Sequence, residues 1–116
     1  MITILPADKA FLCSITAPEG VDAMVLRDSD GTVFGHALFT VVGDTVEVLA
    51  VDTAMPMMAE GLIRSVLNTG DCRGATVGIC RDESLAPLLR HLEFEHKDGV
   101  YTVSIQAFLY GDCRCC

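Results

Sequence analysis

Basic residues are scarce in this chain of 116 residues, and tryptophan is absent. Eight lysines and arginines stand against sixteen aspartates and glutamates, which gives a formal net charge of -8. Binding to nucleic acid or to an anionic membrane needs a cationic surface, so we expect neither partner. An acidic surface would attract an amine-bearing partner such as a small molecule or a peptide amine, although it also serves simply to keep an apolar protein in solution.

Long hydrophobic runs are missing as well. The longest uncharged stretches, residues 31–43 and 99–111, are bounded by glycine and are too short to cross a bilayer. Residues 1–9 lack a basic leader, and Pro6 and Asp8 interrupt their apolar run, so we expect no signal peptide and a cytoplasmic location. In that compartment the six cysteines are expected to be free thiols rather than disulfides.

Several well-known catalytic motifs are also absent. The sequence contains no P-loop, no G-x-G-x-x-G, no H-E-x-x-H and no G-x-S-x-G. No two histidines have the spacing of a metal site, so the sequence assigns no metal-binding residue. Nucleophilic catalysis by a serine triad therefore has no support.

What is present is typical of one globular domain. Hydrophobic residues make up 51% of the chain and charged residues 21%, which excludes intrinsic disorder. We expect a single domain over residues 1–111 and a cysteine-rich tail over residues 112–116. No internal repeat or linker is visible.

The first half of the chain has a β pattern. Extended pieces are predicted at residues 3–5 and 10–15, and then strands at residues 22–27, 32–42 and 45–51. Tight turn signals such as Asp28-Ser29-Asp30-Gly31 separate the three strands, which indicates an antiparallel meander.

The second half alternates between helix and strand. Apolar residues at helical spacing predict helices over residues 55–69 and around Leu85, Leu88, Leu89 and Leu92. A short strand at residues 75–80 lies between them, and a hairpin over residues 93–96 and 100–109 follows. Because a helical crossover joins them, strands 45–51 and 75–80 should be adjacent and parallel in a mixed, mainly antiparallel α/β sheet with two main helices.

This order of elements resembles the GNAT superfamily of acyl-CoA N-acetyltransferases over roughly residues 22–108. The family's pyrophosphate-binding loop, Gln/Arg-x-x-Gly-x-Gly/Ala, falls on Pro56-Met57-Met58-Ala59-Glu60-Gly61. The resemblance implies an N-acyltransferase that uses acetyl-CoA or another acyl-CoA. It also implies contacts to that cofactor from the residues Leu49, Val51, Met57, Met58, Ala59 and Gly61.

The sequence departs from the family at two places. Pro56 replaces the basic residue of the loop, and Asp52 and Glu60 bring negative charge near a position for pyrophosphate. Leu89 occupies the position of a proton-donating tyrosine, and Glu93 that of a glycine. These departures motivate the alternative hypothesis, a non-catalytic binding or interaction module of the same fold.

Glu47 is the candidate general base, because its strand would end beside the acyl thioester. Strand alternation predicts that Glu47 shares a face with Leu49 and Val51; the alternative is a solvent-facing glutamate. His36 in the preceding strand is a second candidate base, or else a half-buried strand residue. The cluster Met55, Met57 and Met58 favours an acyl pocket or packing in the core or a homodimer.

The tail contains three thiols within four residues, Cys113, Cys115 and Cys116. They could bind zinc or copper(I), or exchange thiols with help from Arg114, or belong to an ordinary chain end. A complete zinc site would need a fourth ligand.

Overall fold

A computed structural model describes residues 2–110. It contains seven strands in one sheet and four α-helices. The strands are β1 Thr3–Pro6, β2 Asp22–Arg27, β3 Val33–Val42, β4 Thr45–Thr53, β5 Val77–Cys80, β6 Glu95–Lys97 and β7 Val100–Ser104. The helices are α1 Lys9–Ser14, α2 Ala59–Cys72, α3 Ala86–His91 and α4 Ile105–Tyr110. The tail predicted over residues 112–116 lies outside the described residues.

The sheet order is β1-β2-β3-β4-β5-β7-β6. Strands β4 and β5 are parallel, and every other neighbouring pair is antiparallel. The mixed, mainly antiparallel α/β sheet that the sequence predicts is therefore confirmed. In residues 2–110 no helix is long and apolar enough to cross a membrane.

The main core lies between the sheet and α2. Leu62, Ile63, Val66 and Leu67 of α2 are fully buried against strand residues such as Phe39 and Val48. The opposite face of the sheet carries α1, where the ring of Phe11 contacts that of His36 with the centroids 5.6 Å apart. Leu89 of α3 and Ile105 of α4 join the core on the α2 side, so that face has the larger cover.

The segment predicted as extended at residues 10–15 is instead helix α1. Asp8 is its N-cap, because its Oδ1 accepts the N–H of Phe11 at 2.9 Å. An aspartate three residues before an apolar residue is a helix-start signal that outweighs the β-branched content of Ile15 and Thr16.

Helix α2 continues past the end predicted at Asn68-Thr69-Gly70 and reaches Cys72. Gly70 does not end the helix; it lets the helix approach the sheet, since a Cβ at Gly70 would lie 2.9 Å from Cβ of Val46. Gly74, with φ of 93°, occupies the left-handed position beyond the helix.

The last strand is also shorter than the predicted run over residues 100–109. It ends at Ser104, and α4 follows. Ile105, Phe108 and Leu109 are spaced i, i+3 and i+4, so the helix places them on the face that packs against the core.

Candidate functional site

Strands β4 and β5 separate partway along their length. Their parallel pairing runs from Thr45 opposite Val77 to Val48 opposite Cys80, where β5 ends. Strand β4 continues to Thr53 and stays paired with β3 alone. In residues 2–110 no strand pairs with the other edge of residues 49–53, so the backbone there is open to a ligand that extends along the strand.

A β-bulge in β4 lies at the start of this open edge. Phe39 is opposite Val48 and Leu38 is opposite Ala50, so Leu49 is an extra residue without a partner on β3. The bulge interrupts strand alternation. Leu49 is 37% exposed.

The expectation that Glu47 shares a face with Val51 is wrong because of this bulge. Val51 is opposite Ala37, and both lie on the same core-facing side as Val48. Glu47 is opposite Thr40, on the other face of the sheet. The sequence could not show this, since alternation by two residues assumes a regular strand.

Glu47 lies where β4 and β5 begin to separate, and it is held by an ion pair. Its Oε1 is 2.8 Å from Nη1 of Arg81, the residue directly after β5. The Glu47 side chain is 25% exposed, and that of Arg81 is 57% exposed. The ion pair therefore lies beside the last paired residues of β4 and β5, and it leaves the Glu47 carboxylate partly exposed to water. Sequence reasoning missed Arg81, whose only signal is a basic residue immediately after a buried strand.

His36 lies on the same face as Glu47 but at a different place. It is opposite Asp52 across β3 and β4, while Glu47 is opposite Thr40. His36 and Thr40 are four residues apart, which is roughly 13 Å along a strand. The two candidate bases therefore do not form a pair.

The loop from β4 to α2 carries the other predicted contacts. Met57 is 82% exposed, whereas Met58 and Met55 pack against the core. Ala59 and Gly61 lie in the first turn of α2, where a Cβ at Gly61 would meet only Cδ1 of Ile4, at 3.3 Å. Of the three methionines, Met57 is the most exposed.

Most N–H groups in this loop are already bonded within the protein. The N–H of Ala54 donates to O of Phe34, and that of Met55 to Oγ1 of Thr53, both at 3.0 Å. The N–H of Met58 donates to O of Met55 at 2.8 Å, and the N–H of Ala59 donates to O of Pro56. Pro56 itself has no N–H. This loop therefore offers few of the donors that a pyrophosphate needs.

The negative charge at the start of α2 also disfavours the binding of pyrophosphate. Glu60 lies in the first helical turn, with its Oε2 3.2 Å from Nε of Arg64 and its Oε1 3.9 Å from Nε2 of His91. Arg64 partly neutralises the carboxylate, and Pro56 itself carries no charge.

Leu89 and Glu93, the two later positions that depart from the resembled pattern, have structural roles. Leu89 is fully buried in the core, so it faces no open site. Glu93 has a positive φ of 65°, which explains why a glycine would suit this position. Leu89 therefore provides a hydrophobic core contact and no proton donor.

A buried tyrosine lies elsewhere near the end of β5. Tyr101 is opposite Cys80, its hydroxyl donates to Oε2 of Glu83 at 3.3 Å, and its ring stacks on His96. Burial raises the pKa of the Cys80 thiol, and the nearby carboxylates add to this, so the thiol stays protonated and unreactive at neutral pH. No local sequence pattern indicates this cluster.

Comparison with known proteins supports the fold strongly. No protein-family model and no curated protein sequence matches the chain. Among solved structures, a GNAT-family acetyltransferase from Staphylococcus aureus aligns with a TM-score of 0.69 at 10% identity, covering 90% of this chain and 99% of that chain. A mutant spermidine N-acetyltransferase from Vibrio cholerae aligns with a TM-score of 0.74 at 9% identity, covering 96% and 98%.

A third structure, the ribosomal-protein alanine N-acetyltransferase from Escherichia coli, gives a TM-score of 0.70 at 14% identity over 90% of this chain and 94% of that chain. At these identities the comparisons establish the fold and not the activity.

Proposed function

We propose that this chain, whose fold is that of the GNAT acetyltransferase structures, is an N-acyltransferase that moves an acetyl or other acyl group from an acyl-CoA to an amine. The observation that carries this proposal is the separation of β4 from β5, with Glu47 placed where the two strands part.

The residues of this site suit the pantetheine arm of acyl-CoA better than its pyrophosphate. Acyl-CoA supplies an acyl thioester whose carbonyl carbon reacts with an amine. Backbone groups of Leu49 and Val51 on the open edge of β4 suit the amide-rich pantetheine arm. Met57, Met58, Ala59 and Gly61 would lie nearest the pyrophosphate, but the loop donors there are already bonded. Weak cofactor binding is the expected consequence.

Glu47 is the proposed general base. An amine at neutral pH is mostly protonated, so it must lose a proton before its lone pair can attack a carbonyl. Arg81 contacts Oε1 and orients the carboxylate, and we assign proton acceptance to Oε2, directly or through one water. His36 is the second candidate, and its place beside Asp52 makes it a base for a substrate bound further along β4.

The acceptor is proposed to be a small-molecule or peptide amine. The net charge of -8 favours a cationic acceptor over nucleic acid or an anionic membrane. We propose a cytoplasmic location, and the exposed Met57 favours a homodimer, although it also suits an acyl chain.

Calorimetric titration with acetyl-CoA, followed by a thiol-release assay with a panel of amines, tests the proposal. Glu47→Gln should lower kcat/KM by about 100-fold or more, because general base catalysis contributes on that order. Glu95→Gln is the matched control, since Glu95 is exposed on the edge strand β6 and should leave the rate unchanged. No heat at about 1 mM ligand would rule out the enzyme.

A non-catalytic binding module is the second candidate. The bonded loop at Pro56 and the buried Leu89 favour it, because both remove groups that the acyl transfer would use. Binding of acetyl-CoA that is equal in the native chain and in Glu47→Gln, with no release of the CoA thiol in the presence of any amine, would support this candidate.

A further inference from the structure

Strand β1 forms one edge of the sheet, and part of its backbone has no strand partner. The N–H of Ala7, directly after β1, donates to O of Ala23 in β2 at 2.9 Å. Alternate residues of an antiparallel strand direct their backbone groups to the same neighbour, so Leu5 also faces β2. Ile4 and Pro6 therefore direct theirs outward, where no strand pairs with β1 in the part of the chain that the structure describes.

The residues at this edge are compatible with a contact to another strand. Pro6 has no N–H, and its nitrogen lies on the outer side, so it costs no hydrogen bond to β2. The side chains of Leu5 and Ile2 are apolar and are 59% and 39% exposed. Helix α1 leaves the edge open, because it turns inward and its Phe11 contacts His36, two strands away in β3.

The two edges of the sheet differ in charge. Residues 2–7 contain no charged side chain, although the whole chain has a net charge of -8. The opposite edge strand, β6, has only three residues, Glu95, His96 and Lys97, and all three are ionisable. Short length and charged side chains protect an edge strand from pairing with another chain. At β1, in contrast, two copies of this acidic chain can meet without contact between like charges.

We propose that two copies of this chain pair through β1, antiparallel and about a two-fold axis at Ile4. The two Ile4 residues then exchange their N–H···O bonds, and the N–H of Ile2 donates to O of the partner's Pro6. Leu5 comes to lie opposite the partner's Thr3, which covers the exposed leucine. The pairing gives a place to the homodimer of the proposed function but does not depend on acyl transfer, so a mass measurement and a thiol-release assay can fail separately.

Sedimentation of the reduced full chain, from about 5 µM to about 1 mM, tests the pairing, because an interface of one short strand is expected to be weak. The average mass should rise with concentration toward twice that of one chain. It should rise further at higher salt, because screening weakens the repulsion between two acidic copies.

Leu5→Asp and Val42→Asp form a matched pair of variants. Each replaces an exposed apolar strand residue and changes the net charge equally, but Val42 is 75% exposed and lies opposite Thr45 at the β3–β4 turn, away from β1. Leu5→Asp should weaken the dimer by about 10-fold or more, because it places two like charges beside the axis. Val42→Asp should leave the dimer unchanged.

Cross-linking tests the register of the pairing. The Cα atoms of a hydrogen-bonded antiparallel pair are about 5.5 Å apart, which suits a disulfide, so Ile4→Cys should cross-link two copies when treated with oxidised glutathione. Leu5→Cys should not, because the two Leu5 residues are displaced from each other along the strands. Mass spectrometry locates the bond. Three results would overturn the proposal: a monomer at every concentration, equal dimerisation of Leu5→Asp and Val42→Asp, or a cross-link at residue 5 and none at residue 4.

Discussion

The two halves of strand β4 have different surroundings, although they belong to one continuous strand. Residues 45–48, the closed half, are paired on both sides and carry the buried Val46 and Val48 against α2. Residues 49–53, the open half, are paired only with β3, start with a bulge and are partly exposed. The difference arises because β5 stops at Cys80, so the length of a neighbouring strand decides where core ends and candidate site begins.

The β3 residues opposite the two halves should differ most in stability. Phe39→Ala should lower the free energy of unfolding by about 3–5 kcal/mol, because it empties a filled core position opposite Val48. Leu38→Ala, opposite Ala50 and half-buried, should cost only about 1 kcal/mol. Denaturant unfolding measures both. Equal losses would show that the open half is packed as tightly as the closed one.

A second comparison tests the close approach of α2 to the closed half. Gly70→Ala should destabilise by about 1–2 kcal/mol, because its Cβ would lie within 3 Å of Val46 and the clash outweighs the gain in helix propensity. Gly61→Ala, near the open half, meets only the end of Ile4 and should be neutral or slightly stabilising. Thermal melting of the two variants provides the measurement, and stabilisation by Gly70→Ala would contradict the structure.

The threonines at the two ends of β4 provide a third comparison between its two halves. Thr53→Val should cost about 1 kcal/mol, because Oγ1 accepts the N–H of Met55 and donates to O of Phe34 at 3.0 Å. Thr45→Val removes only an exposed contact to Asp44 and should change stability by less than about 0.5 kcal/mol. If Thr53→Val also strengthens acetyl-CoA binding, the N–H of Met55, which no longer donates to Oγ1 of Thr53, has become available to the ligand.

The smallest effect is expected in the turn before β3, at the same end of the sheet as the open half. The N–H of Thr32 donates to Oδ1 of Asp30 at 2.9 Å and lowers the pKa of that carboxyl below its ordinary 3.8. A lowered pKa stabilises the fold above that value, and the contribution is lost as the pH falls through the folded pKa. The native chain should therefore be slightly more stable than Asp30→Asn at pH 7, with a gap that closes below about pH 3.8. If urea titrations show the same difference in the free energy of unfolding between the two proteins from pH 7 to below pH 3.8, this prediction is wrong.

Much of the fold was predictable, because its elements follow local periodicity. The meander, α2, and the parallel neighbours β4 and β5 depend on apolar spacing and turn residues that tertiary contacts then reinforce. The errors fell where two local signals competed, as at α1 and α4, whose six-residue lengths give periodicity little room. Gly70 has the local pattern of a helix end, but its role is a close contact with Val46.

Less of the candidate site was predictable. Glu47 was identified by its strand, but its face was not, because one extra residue at Leu49 reverses the alternation beyond it. The contacts of Arg81 with Glu47 and of Tyr101 with Glu83 join residues that are far apart in sequence. No local pattern predicts such contacts.

By itself, the sequence determined the order of elements, the acidic charge, and the absence of a cationic loop at Pro56, since these depend on residue type and local spacing. The tertiary structure decided which face each β4 residue takes, where β5 ends relative to it, and which group meets Glu47. The physical reason is that pairing register and strand length are set by the packing of the whole sheet against α2. A single strand carries no information about where its neighbour stops.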